Sequence, residues 1–157
     1  MAIEIERKFL VADDGWRAAA DGGTRYRQGY LTETGVGPAS VRVRIGGGRA
    51  FLNIKSHTLG MERREYEYPL PLDEAEEMLE RLCRRPLIEK TRYRVRVGDH
   101  LWEIDLFEGE NAGLVVAEIE LSRADEPFER PPWLGREVTD DPRYYNVCLV
   151  DHPFSRW

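Results

Sequence analysis

The chain has 157 residues, with 23 Lys and Arg against 29 Asp and Glu, for a formal net charge of −6 at pH 7. That length suits one domain with a single sizeable core, and the net charge gives no general attraction to nucleic acid or an anionic membrane. No apolar run approaches the roughly 20 residues needed to cross a bilayer, and the opening MAIEIERKFL, with charges inside its apolar stretch, does not read as a secretory signal. Cys83 and Cys148 are too few and too far apart for a metal motif or a disulfide framework. The expectation is a single domain over residues 1–157, resident in the cytoplasm.

Charged residues make up 33% of the chain, above the roughly 25% of ordinary domains, and they recur with the period of two that marks strands. In residues 3–9, Glu4, Glu6 and Lys8 alternate with Ile3, Ile5 and Phe9. DDGWRAAA follows as a short helix. Residues 25–31 set Tyr26, Gln28 and Tyr30 on one face; VRVRI opposes Arg42 and Arg44 to Val41, Val43 and Ile45. FLNIK opposes Asn53 and Lys55 to Leu52 and Ile54, and residues 63–68 set Arg63, Glu65 and Glu67 against Arg64, Tyr66 and Tyr68. Asp73 to Cys83 follows a proline, begins with acids and carries an apolar stripe of Ala75, Met78, Leu79 and Leu82, as a helix requires. Residues 90–97 then set Lys90, Arg92, Arg94 and Arg96 against Thr91, Tyr93, Val95 and Val97. LWEIDLF opposes Glu103 and Asp105 to Trp102, Ile104 and Leu106, and VVAEIEL opposes Glu118 and Glu120 to Ala117, Ile119 and Leu121. GVGPAS, GGGR and VGDH supply turns between strands. In the tail, WLGREVT and RYYNVCLV are expected to form helical turns, interrupted by Pro131, Pro132 and Pro142.

That makes eight candidate strands, each with a charged or polar face. Like charges two residues apart, such as Glu118 with Glu120 or Arg92 with Arg94, stand ~7 Å apart along a strand and repel. A sheet exposed to solvent on that face and packed on helices is one arrangement. The more economical one is a mainly β, α+β fold: a closed eight-stranded antiparallel barrel with charges inward and apolar faces outward under a few helices. Inward carboxylates suit hard cations such as Mg²⁺ or Mn²⁺. Inward cations suit phosphate, which an arginine grips through two oxygens. Both together point to a polyphosphate–metal complex. The IGGGR stretch lacks the lysine–hydroxyl ending of a phosphate loop and is better read as a hairpin turn.

Glu4, Glu6 and Lys8 match the ExExK signature of the CYTH proteins, the triphosphate tunnel metalloenzymes, and the chain resembles that family along nearly its whole length. EIERKFLV, QGYL, VRVRI, LNIKS, EYEY, KTRYR, WEID, AEIEL and the terminal WLGREVT and RYYN carry the resemblance in order. It implies an eight-stranded antiparallel barrel tunnel and, with the short length and the QGYL and KTRYR motifs, a similarity to the small bacterial inorganic triphosphatases. The implied activity is metal-dependent cleavage of tripolyphosphate to pyrophosphate and phosphate. The resemblance also implies that Arg42, Arg44, Lys55, Lys90, Arg92 and Arg94 hold phosphates, and Arg63, inward by its alternation, is expected to join them. The resemblance implies too that Glu4, Glu6, Glu118 and Glu120 bind metal, as two Mg²⁺ or Mn²⁺ ions, with Glu65, Glu67 and Asp105 nearby in direct or water-mediated roles. Lys8 and Tyr30 match a catalytic Lys–Tyr pair, in which a phenol beside an ammonium could exchange protons near neutral pH. An organic triphosphate as substrate, including cyclisation of ATP, and a non-catalytic polyphosphate sensor are the alternatives. The expected partner is a small-molecule triphosphate, with no nucleic acid or membrane; a homodimer is an allowed assembly. Trp102, Tyr66, Tyr68 and Tyr93 are expected to pack outward under helices.

Overall fold

A computed structural model describes residues 3–157. Nine strands form one sheet: β1 (Ile3–Val11), β2 (Thr24–Tyr30), β3 (Ala39–Gly46), β4 (Arg49–Ser56), β5 (Glu62–Leu70), β6 (Ile88–Val97), β7 (His100–Phe107), β8 (Val115–Leu121) and β9 (Leu134–Glu137). Their order is β5-β4-β3-β2-β6-β7-β8-β1-β9, and an added β5–β1 pairing closes the first eight into an antiparallel barrel. The eight expected strands are all present. The closure follows from the alternation: the charged face of each strand would be costly against an apolar layer, so the sheet curls until those faces share one bore.

The ninth strand is a correction. WLGREVT supplies β9 instead of a helical turn, and it shares one edge of β1 with β5. Ile3 to Ile5 pair with β5, whereas Phe9 and Val11 pair with β9 across an irregular register. Lys8 N donates to Thr139 Oγ1 at 3.0 Å and Val138 N to the Lys8 carbonyl at 2.8 Å, so the tail is stitched beside the ExExK strand. The β3–β4 turn has positive φ at both Gly47 and Gly48, the backbone of a two-residue hairpin.

Outside the barrel, Phe9, Trp16, Trp102, Ile104 and Ile119 form the largest apolar cluster, with Trp16 delivered by the short 3-10 helix Asp14–Ala19. Helix α1 (Leu72–Arg81) buries Ala75 and Leu79 on Val43, Ile45 and Ala50. It ends before Leu82, which is exposed and no part of the apolar stripe expected there. Trp102 is buried and Tyr93 packs against Trp16, but Tyr66 and Tyr68, expected under helices, are exposed because α1 covers other positions of β3 and β4. A third cluster fills one end of the bore itself. Tyr30, Ile88, Phe107 and Val116 meet Leu149 and Val150 of α2 (Cys148–Asp151), so the tail closes that end with apolar surface. No helix among the described residues is long and apolar enough to cross a membrane.

Candidate active site

The other part of the bore holds a cavity of about 250 Å³. That is below the roughly 300–1,000 Å³ of pockets for drug-sized ligands and suits a compact ion. All of the expected site residues except Arg94 and Asp105 line it. Strand order sorts their charge. The contiguous strands β4, β3, β2 and β6 contribute Lys55, Arg42, Arg44, Tyr30, Lys90 and Arg92. The remaining arc, β7, β8, β1 and β5, contributes Glu103, Glu118, Glu120, Glu4, Glu6, Glu65 and Glu67, with Lys8 and Arg63 as its cations. Glu103 belongs to the lining although the site expected from sequence passed over it.

The cationic side is held in place. Asp105 is fully buried behind it, accepting from Lys90 Nζ at 2.8 Å and from Arg92 Nε and Nη2 at 2.8 and 2.9 Å. Its short side chain sits under the two longer ones, which is why it holds two cations and does not face the cavity. Burial works against the Asp105 anion, but Arg92 and Lys90 outweigh it and lower its pKa. Burial also brings Lys90 down to about 8, with Arg92 and Arg42 adding to the fall and Asp105 opposing it. Arg42 Nε donates to Asn53 Oδ1 at 3.2 Å, while Asn53 Nδ2 donates to Glu65 and Glu67 at 3.1 and 2.7 Å. Arg94 lies outside the cavity, donating to the Tyr26 hydroxyl at 3.3 Å with Asp21 at 3.9 Å.

The carboxylate side is less satisfied. Glu6 faces Glu120 across β1–β8, and Glu103 faces Glu118 across β7–β8, so like charges stand directly opposite. Burial and the neighbouring Glu118 raise Glu6 to about 7. Burial, with nearby acids, also raises Glu4 and Glu120. Glu4 Oε2 is buried without a hydrogen-bond donor; its nearest cation is Lys55 Nζ at 3.5 Å. Glu118 is the exception. Lys8 at 2.7 Å and Arg92 at 3.6 Å overcome its burial and hold it well below the carboxylate range. An orphaned buried oxygen beside carboxylates that resist ionisation is a donor set that a hard divalent cation would relieve. Among the described residues, no three such side chains already converge as a ready-made cage.

Lys8 and Tyr30 both line the cavity but have different partners. The Lys8 ammonium donates to Glu118, whereas Tyr30 stands beside Arg42, its Cα partner across β2–β3. Sequence reasoning missed Tyr145, Asn146 and Val147, which line the cavity from the tail. Asn146 Oδ1 accepts from Gln28 Nε2 and Lys90 Nζ, both at 3.0 Å, and the Tyr145 ring lies 4.9 Å from the Arg63 guanidinium carbon. The signal in the tail is RYYN, which carries part of the family resemblance and contains Tyr145 and Asn146 but has no place in the site expected from sequence.

The fold and the cavity define a closed barrel whose bore offers an anion grip and a carboxylate cluster to one small ligand. The CYTH domain model matches residues 2–145, and the chain belongs to the CYTH family. It is 46% identical to an inorganic triphosphatase of Acetivibrio thermocellus over 157 residues, covering 100% of this chain and 99% of that protein. It is 40% identical to an inorganic triphosphatase of Nitrosomonas europaea over 152 residues, covering 94% and 96%. Among solved structures, a crystal structure of an inorganic triphosphatase superposes with a TM-score of 0.66 at 37% identity, covering 93% of this chain and 96% of that one. A Pyrococcus horikoshii protein at 20% identity and a TM-score of 0.60, covering 78% of this chain and 80% of that one, shares the fold.

Proposed function

We propose that the chain is an inorganic triphosphatase, hydrolysing tripolyphosphate to pyrophosphate and phosphate in the bore with two divalent ions, Mg²⁺ or Mn²⁺, in the cytoplasm. The observation that carries this is the division of one small cavity into an arginine–lysine side and a carboxylate side, in a chain 46% identical over its full length to an inorganic triphosphatase. Arg42, Arg44, Lys55, Lys90 and Arg92 grip the phosphate oxygens, with Arg63 beside the tail. Glu4, Glu6 and Glu120 would hold the ions, with Glu65, Glu67 and Glu118 around them. Among the described residues no three carboxylates converge, so water and phosphate oxygens would have to complete the coordination of an ion held there, as Mg²⁺ sites commonly allow. Ions held there would supply charge neutralisation and water activation. Water attacks a terminal phosphorus, its P–O–P bridge breaks, and the departing pyrophosphate is stabilised by the arginines. Lys8 keeps Glu118 ionised and placed, and Tyr30, beside Arg42, holds or passes a proton at the reacting phosphate.

The test is phosphate release from tripolyphosphate, ATP, thiamine triphosphate and pyrophosphate, with Mg²⁺, Mn²⁺ or chelator. Tripolyphosphate should be the best substrate and pyrophosphate a poor one, since it is too short to span both sides. Full activity under chelation, or a preference for ATP, would overturn the assignment.

A further inference from the structure

We infer that Tyr26 is a positioning residue for the phosphate grip, its ring seated on Gly46 and orienting Arg44 and Arg92 through its faces; this rests on the polyphosphate-binding role of the bore. The alternation of β2 places Tyr26 on the inward side, with Gly46 of β3 and Lys90 of β6 as its Cα partners. Gly46 does not serve a left-handed turn: the positive φ values of that hairpin belong to Gly47 and Gly48. What Gly46 supplies is space. A Cβ there would stand 2.1 Å from Tyr26 Cδ1 and 2.4 Å from Cε1, so the ring can lie where it does only over a glycine.

Seated in this way, the ring has the Arg44 guanidinium carbon 4.9 Å and the Arg92 guanidinium carbon 6.0 Å from its centroid, and its hydroxyl accepts from Arg94 at 3.3 Å. Arg44 has little else to fix it. Glu67 is 3.9 Å away, and Arg44 Nε is buried with no hydrogen-bond partner. Burial and the neighbouring Arg42 and Arg92 also depress its pKa, a sign of like-charge crowding. Arg92 already gives Nε and Nη2 to Asp105, and a second carboxylate set against Arg44 would likewise consume the N–H groups that phosphate needs. An aromatic face attracts the cation through its quadrupole and leaves the N–H edge free. Tyr26 therefore arranges the crowded arginines without competing for their donors.

The experiment compares Tyr26→Leu, Tyr26→Phe and Gly46→Ala in steady-state tripolyphosphate hydrolysis, with melting temperatures and metal-free calorimetric titration of tripolyphosphate in parallel. Loss of two cation–π contacts predicts that Tyr26→Leu raises KM about tenfold while kcat stays within about twofold. Tyr26→Phe, which keeps the ring, restores most of the affinity. Gly46→Ala, which displaces the ring, raises KM as Tyr26→Leu does, and adding it to Tyr26→Leu costs nothing more. A wild-type KM in Tyr26→Leu, a loss confined to kcat, or a Phe variant as impaired as Leu overturns the inference. If Tyr26→Leu fails to fold, the KM of Gly46→Ala decides in its place. Wild-type protein that neither binds nor cleaves tripolyphosphate would remove the functional assignment itself, whereas wild-type binding that Tyr26→Leu leaves unchanged removes only the role of Tyr26.

Discussion

The two sides of the bore solve the same electrostatic problem in opposite ways. On the cationic side, Lys90 and Arg92 share Asp105 at 2.8–2.9 Å, Arg42 leans on Asn53, and Asn146 supplies a further acceptor to Lys90. These cations are buried but fixed before any ligand arrives. On the carboxylate side, Glu6 faces Glu120, Glu4 keeps an orphaned oxygen, and three of the acids are pushed towards protonation. The difference matches the ligand that the proposed function gives each side. Phosphate needs donors held in a rigid array, so the protein supplies the counter-charge from behind. A divalent ion would itself be the counter-charge, which accounts for acids left uncompensated at some expense in stability.

The sharpest way to break this contrast is at Arg92. Arg92→Met removes the partner of a fully buried Asp105 and leaves that charge with Lys90 alone. Breaking one partner of a buried pair typically costs about 3–5 kcal/mol, so denaturant unfolding should show a loss of that order. A stability equal to wild type would mean that the Arg92–Asp105 contact contributes nothing and that the cationic side is no more preorganised than the other.

The matching change on the carboxylate side should behave in the opposite sense. Glu6→Gln is expected to cut turnover by ~100-fold or more, the scale of a lost transition-state electrostatic contact, yet to leave the metal-free protein as stable or more so at alkaline pH. Glu110→Gln, which loses only an exposed ion pair with Arg156 at 3.6 Å, is the neutral control. The pH dependence sharpens the point. Glu6 titrates near 7 in the folded chain against 4.5 when unperturbed. The native state therefore binds more protons than the unfolded one between those values, and stability falls as pH rises through that window. Glu4 and Glu120, also raised, add to the same slope. Metal-free melting temperatures should decline across that range, and Glu6→Gln should flatten the decline. A flat wild-type profile would show that the acids are already compensated.

Much of this was legible in the sequence because period two is a local signal. Once the barrel closes, every second residue of each of its strands must share the interior, which is why VRVRI, KTRYR and AEIEL could be assigned to one bore. What the alternation could not resolve is depth. Asp105 and Glu103 have the same parity, yet Asp105 is covered by Lys90 and Arg92 while Glu103 lines the cavity. Nor does parity say where the bore ceases to be polar: Phe107 and Val116 continue inward-facing rows but meet the tail, not a ligand. The tail itself has no period. Tyr145 and Asn146 reach the site through long-range contacts to Gly60, Gln28 and Lys90 that no local pattern encodes.

The smallest effect expected on stability is the most discriminating between the two sides. Lys55 stands at their boundary, with only loose approaches to Glu4 at 3.5 Å and Glu65 at 3.9 Å. It lacks the kind of buried partner that fixes Lys90, so Lys55→Met should change metal-free stability by no more than about 1 kcal/mol, the range of weak ion pairs. Its contribution should emerge only with ligand. Tripolyphosphate with a slowly turned-over divalent ion stabilises the folded wild type by ~2.7 kcal/mol at 100 times Kd. Weakening that Kd by tenfold in Lys55→Met lowers the stabilisation at the same ligand concentration by about 1.4 kcal/mol. The comparison is therefore the melting shift with and without ligand for Lys55→Met against Arg92→Met. The Lys55 substitution should lose ligand-induced stabilisation from an unaltered baseline, and the Arg92 substitution should lose the baseline as well. A Lys55→Met protein that is already destabilised without ligand would place Lys55 with Lys90 and Arg92 among the fixed cations, and would extend the preorganised array to β4, the edge of the cationic arc.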